Sequence, residues 1–136
     1  MDLDRALRIS AAGMQAQSTR LRVVAENLAN RDSVGQSPGA DPYRRKTVTF
    51  QNRMDRELGT ATVRVSRVGT QPGEFPLRHD PSHPAADARG YVRTPNVDSM
   101  METMDMREAQ RSYTANLSVL EVTRGMLTRT IEALRQ

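Results

Sequence analysis

The sequence predicts a mainly α chain with a small β element, in which long N- and C-terminal helices pair as an antiparallel coiled coil. Three observations carry that expectation. Apolar residues recur at alternating steps of four and three near the N-terminus, the same rhythm returns near the C-terminus, and all 7 prolines lie between the two stretches.

The first helix is read over residues 3–30. Leu3, Leu7, Ser10, Met14, Gln17, Leu21, Val24 and Leu28 form a coiled-coil seam in which only Ser10 and Gln17 are polar. Asp2 or Asp4 can cap its start, and Asp32, Ser33, Gly35, Pro38 and Gly39 forbid continuation beyond Asn30. At 1.5 Å per residue such a helix is roughly 42 Å long.

Residues 31–96 are read as a loop and small β domain, Pro-rich throughout. Arg45 to Phe50 and Thr60 to Val68 are short alternating runs rich in Val and Thr, the composition of half-exposed strands. Phe75 to Arg78 and Tyr91 to Arg93 are candidate short edge strands, because Pro76 cannot donate to a central ladder.

The second helix is read over residues 97–136, after Pro95 and a cap at Asn96 or Asp98. Met106, Ala109, Tyr113, Leu117, Leu120, Arg124, Leu127, Ile131 and Leu134 make its main stripe, and Ala115, Val119, Val122 and Met126 a second one beside it. Two stripes imply more than one partner helix. Met100, Met101 and Met104 run out of phase with the main stripe, which predicts a stutter or a change of contact near residue 105; they are read as helix core rather than as an adaptable surface. With the ends aligned, Leu3 opposite Leu134, Gly13 falls near Gly125, and the two glycines are expected to permit close backbone approach. The terminal-helix domain is thus 1–30 with 97–136.

Composition bounds the function. With 136 residues there is room for one domain, and 3 Tyr, 2 Phe and no Trp leave a thin core that borrows stability from neighbours. Cys is absent, which excludes disulfides and thiolate chemistry. No apolar run has the ~20 residues needed to span a bilayer, and the charged start, Met1 to Arg8, lacks a signal-peptide stretch. The net charge of +4 is too diffuse for a nucleic-acid stripe, Tyr43-Arg44-Arg45-Lys46 being the densest basic run.

Chemistry is sparse. His79 and His83 are four apart near Asp80 and Asp87, but Pro81 and Pro84 break the helix that would make the spacing a metal site, so the segment reads as a rigid turn with its Asp caught by backbone N–H groups. Neither a nucleophile elbow nor a phosphate loop is present. No catalytic, cofactor or metal residue is assigned. In Ala25-Glu26-Asn27-Leu28-Ala29-Asn30, the two Asn amides are expected to bond freed carbonyls of the last helical turn and ease the exit into the loop.

At these residues the chain resembles the bacterial flagellar rod, hook and hook–filament junction proteins. The match is Ala25, Asn27 and Asn30 followed by Tyr43 and Arg44, then the signature Asp80-Pro81-Ser82-His83-Pro84 running to Gly90 and Tyr91, then Pro95-Asn96-Val97-Asp98 leading into Arg111-Ser112-Tyr113-Thr114-Ala115-Asn116. Val34 to Ser37 departs from the Thr-rich loop of such proteins, and Arg replaces many lysines.

The resemblance implies a structural subunit of the proximal rod of the flagellar basal body, part of the drive shaft that transmits motor torque. It implies export from the cytoplasm through the flagellar type III apparatus without a cleaved signal peptide, and residence in the periplasmic rod. The implied partners are other copies of the chain, other rod subunits (FlgB, FlgF and FlgG), the rod-base protein FliE and the MS-ring, with no nucleic acid and no embedding in the membrane. Its terminal helices would line a tubular assembly, with the β domain outside. Leu3, Leu7, Met14, Leu21, Val24 and Leu28 would then meet Tyr113, Leu117, Leu120, Leu127, Ile131 and Leu134. The alternative is a soluble helical adaptor binding acidic partners through Arg44, Arg45 and Lys46; a metal-dependent hydrolase at His79, His83 and Asp87 is a third reading.

Overall fold

A computed structural model describes residues 2–136. Its elements are α1 (Leu3–Ala29), β1 (Lys46–Asp55), β2 (Thr60–Thr70), β3 (Leu77–His79), β4 (Tyr91–Arg93) and α2 (Ser99–Leu134). The chain is mostly helical with two small antiparallel sheets, β1–β2 and β3–β4.

Each helix starts at an Asp whose carboxylate accepts from the first free backbone N–H groups. Asp2 takes those of Asp4 and Arg5, and Asp98 those of Met100 and Met101. Asn30 ends α1, its amide nitrogen donating to the carbonyl of Glu26 at 2.8 Å, the back-bond expected of it.

Contacts between the helices pair rising numbers in α1 with falling numbers in α2. Gly13 approaches Asn116, Arg20 reaches Asp105 and Glu108, and Asn27 meets Glu102. The helices therefore run antiparallel, with a register different from the end-to-end alignment. A Cβ on Gly13 would lie 2.8 Å from the Asn116 amide nitrogen, whereas nothing stands within 4 Å of one on Gly125. Gly13 is thus a point of close approach and Gly125 is not its partner. The helices are unequal, 27 against 36 residues, and polar contacts at the Asn27 end fix their alignment. About eight residues of α2 consequently run past the start of α1, roughly 12 Å of helix.

The fully buried residues of α2 are Glu102, Ala109 and Thr123, and with half-buried Asn116 they keep a step of seven along the helix. That step passes straight through residue 105, so no stutter occurs there. Met100, Met101 and Met104 simply lie off the buried line, between 56% and 74% exposed, and are not core. In α1 the buried residues are Ser10, Gly13, Ala16, Val23, Val24 and Asn27, mostly small or polar.

The β1–β2 hairpin has continuous register from Lys46↔Thr70 to Asp55↔Thr60, apart from a bulge at Thr49/Phe50. Asp55 closes its turn, its carboxylate accepting from the N–H groups of Glu57 and Leu58. Pro76 stands just before β3, leaving the three-residue β3–β4 ladder intact. Among the described residues the buried apolar set is only Ala16, Val23, Val24, Leu58, Val92 and Ala109. Among the described residues no helix is long and apolar enough to cross a membrane.

Candidate functional site

The densest arrangement of polar side chains lies where α1 ends, β1 begins and α2 starts. Asn27, wholly buried, is at its centre. Its amide oxygen accepts from the Tyr43 hydroxyl at 2.7 Å and the Lys46 backbone N–H at 2.9 Å; its amide nitrogen donates to the Lys46 carbonyl at 3.0 Å and to Glu102 Oε2 at 3.3 Å. Every hydrogen-bonding capacity of the amide is used. Sequence reasoning assigned this amide to carbonyls of its own helix. The structure turns it outward instead, to the incoming strand and the opposite helix, because a buried Asn finds stronger partners in the β1 backbone than in an intact helical ladder.

Glu102 is the second buried member. Its other oxygen accepts from Arg45 Nε, and Arg45 also reaches Asp105 at 3.6 Å and Gln71 Oε1 at 3.2 Å. The Arg45 backbone N–H donates to Asn96 Oδ1 at 2.7 Å, and the Asn96 amide returns to the Gln71 carbonyl at 3.3 Å. Burial of a carboxylate is tolerated only with such complete pairing. Arg45, the residue before β1, thus joins α2 through Glu102 and Asp105, the residue after β2 through Gln71, and the loop before α2 through Asn96, while Glu102 carries the link on to Asn27 of α1.

Electrostatics at the rim follow from pairing. Lys46 Nζ donates to Glu26 Oε2 at 2.9 Å; that bond holds the Glu26 carboxyl below the usual carboxylate range and the Lys46 ammonium above its own. Burial raises the Tyr43 hydroxyl, favouring the protonated form that donates to Asn27.

Arg44 does different work. Its guanidinium lies 4.2 Å from the Phe75 ring centroid and donates to the carbonyls of Gln71 and Gly73, both at 2.9 Å. Arg44, Arg45 and Lys46 are all engaged within the chain.

The signature loop is a self-contained turn. Ser82 Oγ donates to Asp80, His83 Nδ1 accepts from the Ala85 N–H at 3.0 Å, and the Asp87 carboxylate accepts from the N–H groups of Arg89 and Tyr91. The Tyr91 N–H leads in holding the Asp87 carboxyl below its usual range. The backbone-caught acid of this turn is thus Asp87, whereas Asp80 accepts from a serine hydroxyl. Gly90 is buried at φ +85°, and a Cβ there would come within 3.0 Å of Pro81 Cγ; both facts require glycine. His79 packs edge-on to Tyr91 at 4.9 Å. Among the described residues no group of three His, Asp or Glu side chains could hold a metal.

Of the seam residues read from sequence, Val24 is fully buried. Leu3, Leu7, Met14, Leu21, Leu28, Tyr113, Leu117 and Leu120 are half-buried, and Leu127, Ile131 and Leu134 are exposed, the last at 82%. Of the motif residues, Asn27 and Gly90 are buried, Asn30, Tyr43, Arg44, Asp80 and His83 half-buried, and Ala25, Pro81, Pro84 and Tyr91 exposed. Sequence reasoning missed Glu102 and Gln71, and it read Asn96 as a possible helix cap, a role Asp98 takes while Asn96 accepts from the Arg45 backbone N–H. A Glu in the first turn of a helix reads as a favourable dipole contact; the signal that could have found it is its place seven residues before Ala109.

Comparison with known proteins decides the family. Residues 7–35 match the family model described as flagella basal body rod protein, and residues 88–133 the model of the flagellar basal body rod FlgEFG protein C-terminal. The flagellar basal-body rod protein FlgC of Agrobacterium fabrum is 50% identical over 98% of this chain and 96% of its own. The chain belongs to the FlgC family. FlgC of Aquifex aeolicus is 43% identical over 98% of both chains, and FlgC of Bacillus subtilis 36% identical over 93% and 94%. The first rod-protein model covers most of α1 and the second most of α2, so the polar clasp of Asn27, Arg45 and Glu102 ties together the two segments of this chain that the family models match.

Proposed function

We infer that this chain is a structural subunit of the flagellar basal-body rod, with a mechanical and not an enzymatic role, and we propose that it serves in the proximal rod. One observation supports the assembly reading most: α2 has no buried residue after Thr123, while Val119, Val122, Met126, Leu127, Ile131 and Leu134 are exposed apolar side chains. Contiguous apolar surface of this kind marks a protein interface. On our reading the two helices form the antiparallel coiled-coil domain of the axial core, 1–30 with 97–136, and residues 31–96 lie outside it. Leu7, Met14, Leu21 and Leu28 share a flank with Tyr113 and Leu117, and neighbouring subunits complete its burial. Ordering about 65 helical residues costs on the order of 1–2 kcal/mol each in backbone entropy, which a core this thin offsets only narrowly in the single chain and more fully once neighbours bury the apolar stripes.

The partners we propose are other copies, FlgB, FlgF, FlgG, FliE and the MS-ring, reached by type III export into the periplasmic rod. The test is mass spectrometry of detergent-extracted, purified basal bodies, with a cytoplasmic protein as reference. Recovery in fixed proportion to other rod subunits is the expected result. Absence from basal bodies overturns the reading.

A further inference from the structure

Regular alternation along β2 would send Arg64 and Arg67, three positions apart, to opposite faces of the hairpin. The ladder instead slips by one residue. Thr49 pairs with Arg67 and Phe50 with Val65, so Ser66 is the extra residue of a bulge, its hydroxyl donating to the Thr49 carbonyl at 3.1 Å. Directly opposed residues share a face, so the pairs Thr49↔Arg67, Gln51↔Arg64 and Arg53↔Thr62 lie on one side, and Val48↔Val68, Phe50↔Val65 and Asn52↔Val63 on the other. Side-chain positions agree: a Cβ on Gly69, the partner of Thr47, would meet Arg67 Nε at 3.4 Å and Thr47 Oγ1 at 3.5 Å.

The bulge thus collects three arginines on one face. Arg64 is the diagonal neighbour of Arg53, roughly 7–8 Å away between Cα atoms, and Arg67 follows it along β2. All three are exposed. Among the described residues none of them pairs with an acidic side chain. The acid at the tip end of this face, Asp55, is turned to the N–H groups of Glu57 and Leu58, and Glu57 to Arg8. Like charges gathered on a two-stranded sheet repel and cost the free chain stability. Packing of the chain does not require them there, because the half-buried apolar side chains, Val48, Phe50, Val63 and Val65, are all on the opposite face.

We propose that the arginine face of the hairpin is a docking surface for a carboxylate-bearing segment of another protein. The residues between the arginines decide the kind of anion. Thr49, Gln51 and Thr62 give the face no aromatic ring on which a nucleic-acid base could stack, and no apolar side chain to enter a lipid surface. Guanidinium groups spaced by hydroxyl and amide side chains suit carboxylates, each of which they bind through two parallel N–H bonds. The densest basic run of the sequence, Arg44, Arg45 and Lys46, is engaged within the chain, so an acidic partner finds its cluster of uncommitted charge on the hairpin. The surface belongs to the folded chain and does not depend on its place in a rod.

Fluorescence anisotropy of a labelled alternating Glu–Ser peptide, titrated with the full chain at low ionic strength, reads the docking, with a Gln–Ser peptide of equal length as blank. The parent should bind the first and not the second. Arg53→Gln, Arg64→Gln and Arg67→Gln combined should weaken binding about fivefold or more. The same change at Arg107, Arg111 and Arg129, exposed on α2 and equal in charge, should weaken it less than about twofold. Thr49→Glu with Gln51→Glu keeps every arginine, sets carboxylates opposite Arg67 and Arg64, and should abolish binding while raising the melting temperature. No binding by the parent, or equal loss from the two triple variants, overturns the proposal. Tighter binding of an oligothymidylate of the same charge overturns the choice of a protein partner.

Discussion

Asn27 Nδ2 lies 3.3 Å from Glu102 Oε2, an amide and a carboxylate shut off from water on opposite helices. Neither could be buried alone. Each completes its hydrogen bonding through residues 43–46, so helix pairing and the start of the hairpin form in a single cooperative step. This couples the two helices mechanically to the β1–β2 hairpin, because a load on one reaches the other through Arg45 and Lys46.

Glu102→Ala leaves the Asn27 amide short of an acceptor and Arg45 without its buried partner. Loss of about 3 kcal/mol is expected in urea unfolding followed by far-ultraviolet circular dichroism. Glu102→Gln keeps an acceptor for Arg45 and should lose less. A Glu102→Ala protein as stable as the parent would mean the clasp contributes nothing.

The two helical glycines should respond in opposite directions. Gly13→Ala drives a methyl into the Asn116 amide, which is itself bonded to the Ser112 carbonyl at 2.9 Å, and should lower the melting temperature. Gly125→Ala meets open space and should stabilise by up to about 1 kcal/mol through helix propensity. Adding Asn116→Ala to Gly13→Ala should restore most of the loss, a coupling that thermal melts of the double variant measure directly.

Opposite shifts of Glu26 and Lys46 define a pH window. The depressed Glu26 pKa gives stability that is present above the unfolded value, near 4.3, and lost as pH falls through the folded one; the raised Lys46 pKa gives stability that is present below about 10.4 and lost as pH rises through the folded value. The melting-temperature difference between parent and Glu26→Gln should therefore be a plateau from about pH 5 to 10 that falls away on both sides. Both groups face solvent, so the plateau is low and should shrink in salt. A difference constant down to pH 2 would assign the effect to packing.

The elements were legible because each rests on local physics. Two Asp caps, a proline-free run at each end and Val/Thr alternation between them fix helices and hairpin without tertiary information. The register was not legible, since the residues that set it are Gly13, Asn27, Glu102 and Asn116, while an apolar stripe draws attention to Met14, Leu28 and Leu117 one position round. In the packing proposed above, apolar periodicity locates the side of a helix that neighbouring subunits cover. Within one subunit the closest contact falls on the small and polar neighbours of that stripe, which let the backbones approach and leave the leucines half-covered.

Leu120 tests that division of labour. It is half-buried in the single chain, on the α2 line between Asn116 and Thr123, and the proposed rod packing completes its burial. Leu120→Asp puts a carboxylate there, costly once neighbours exclude water but partly hydrated in the free subunit. Motility and rod completion should be abolished while the protein is still made, and the isolated variant should keep most of its helical circular dichroism. Swimming at the parental rate would remove Leu120 from the assembly face. Loss of helix in the free chain would place its importance inside the subunit, and the two readouts taken together separate those cases.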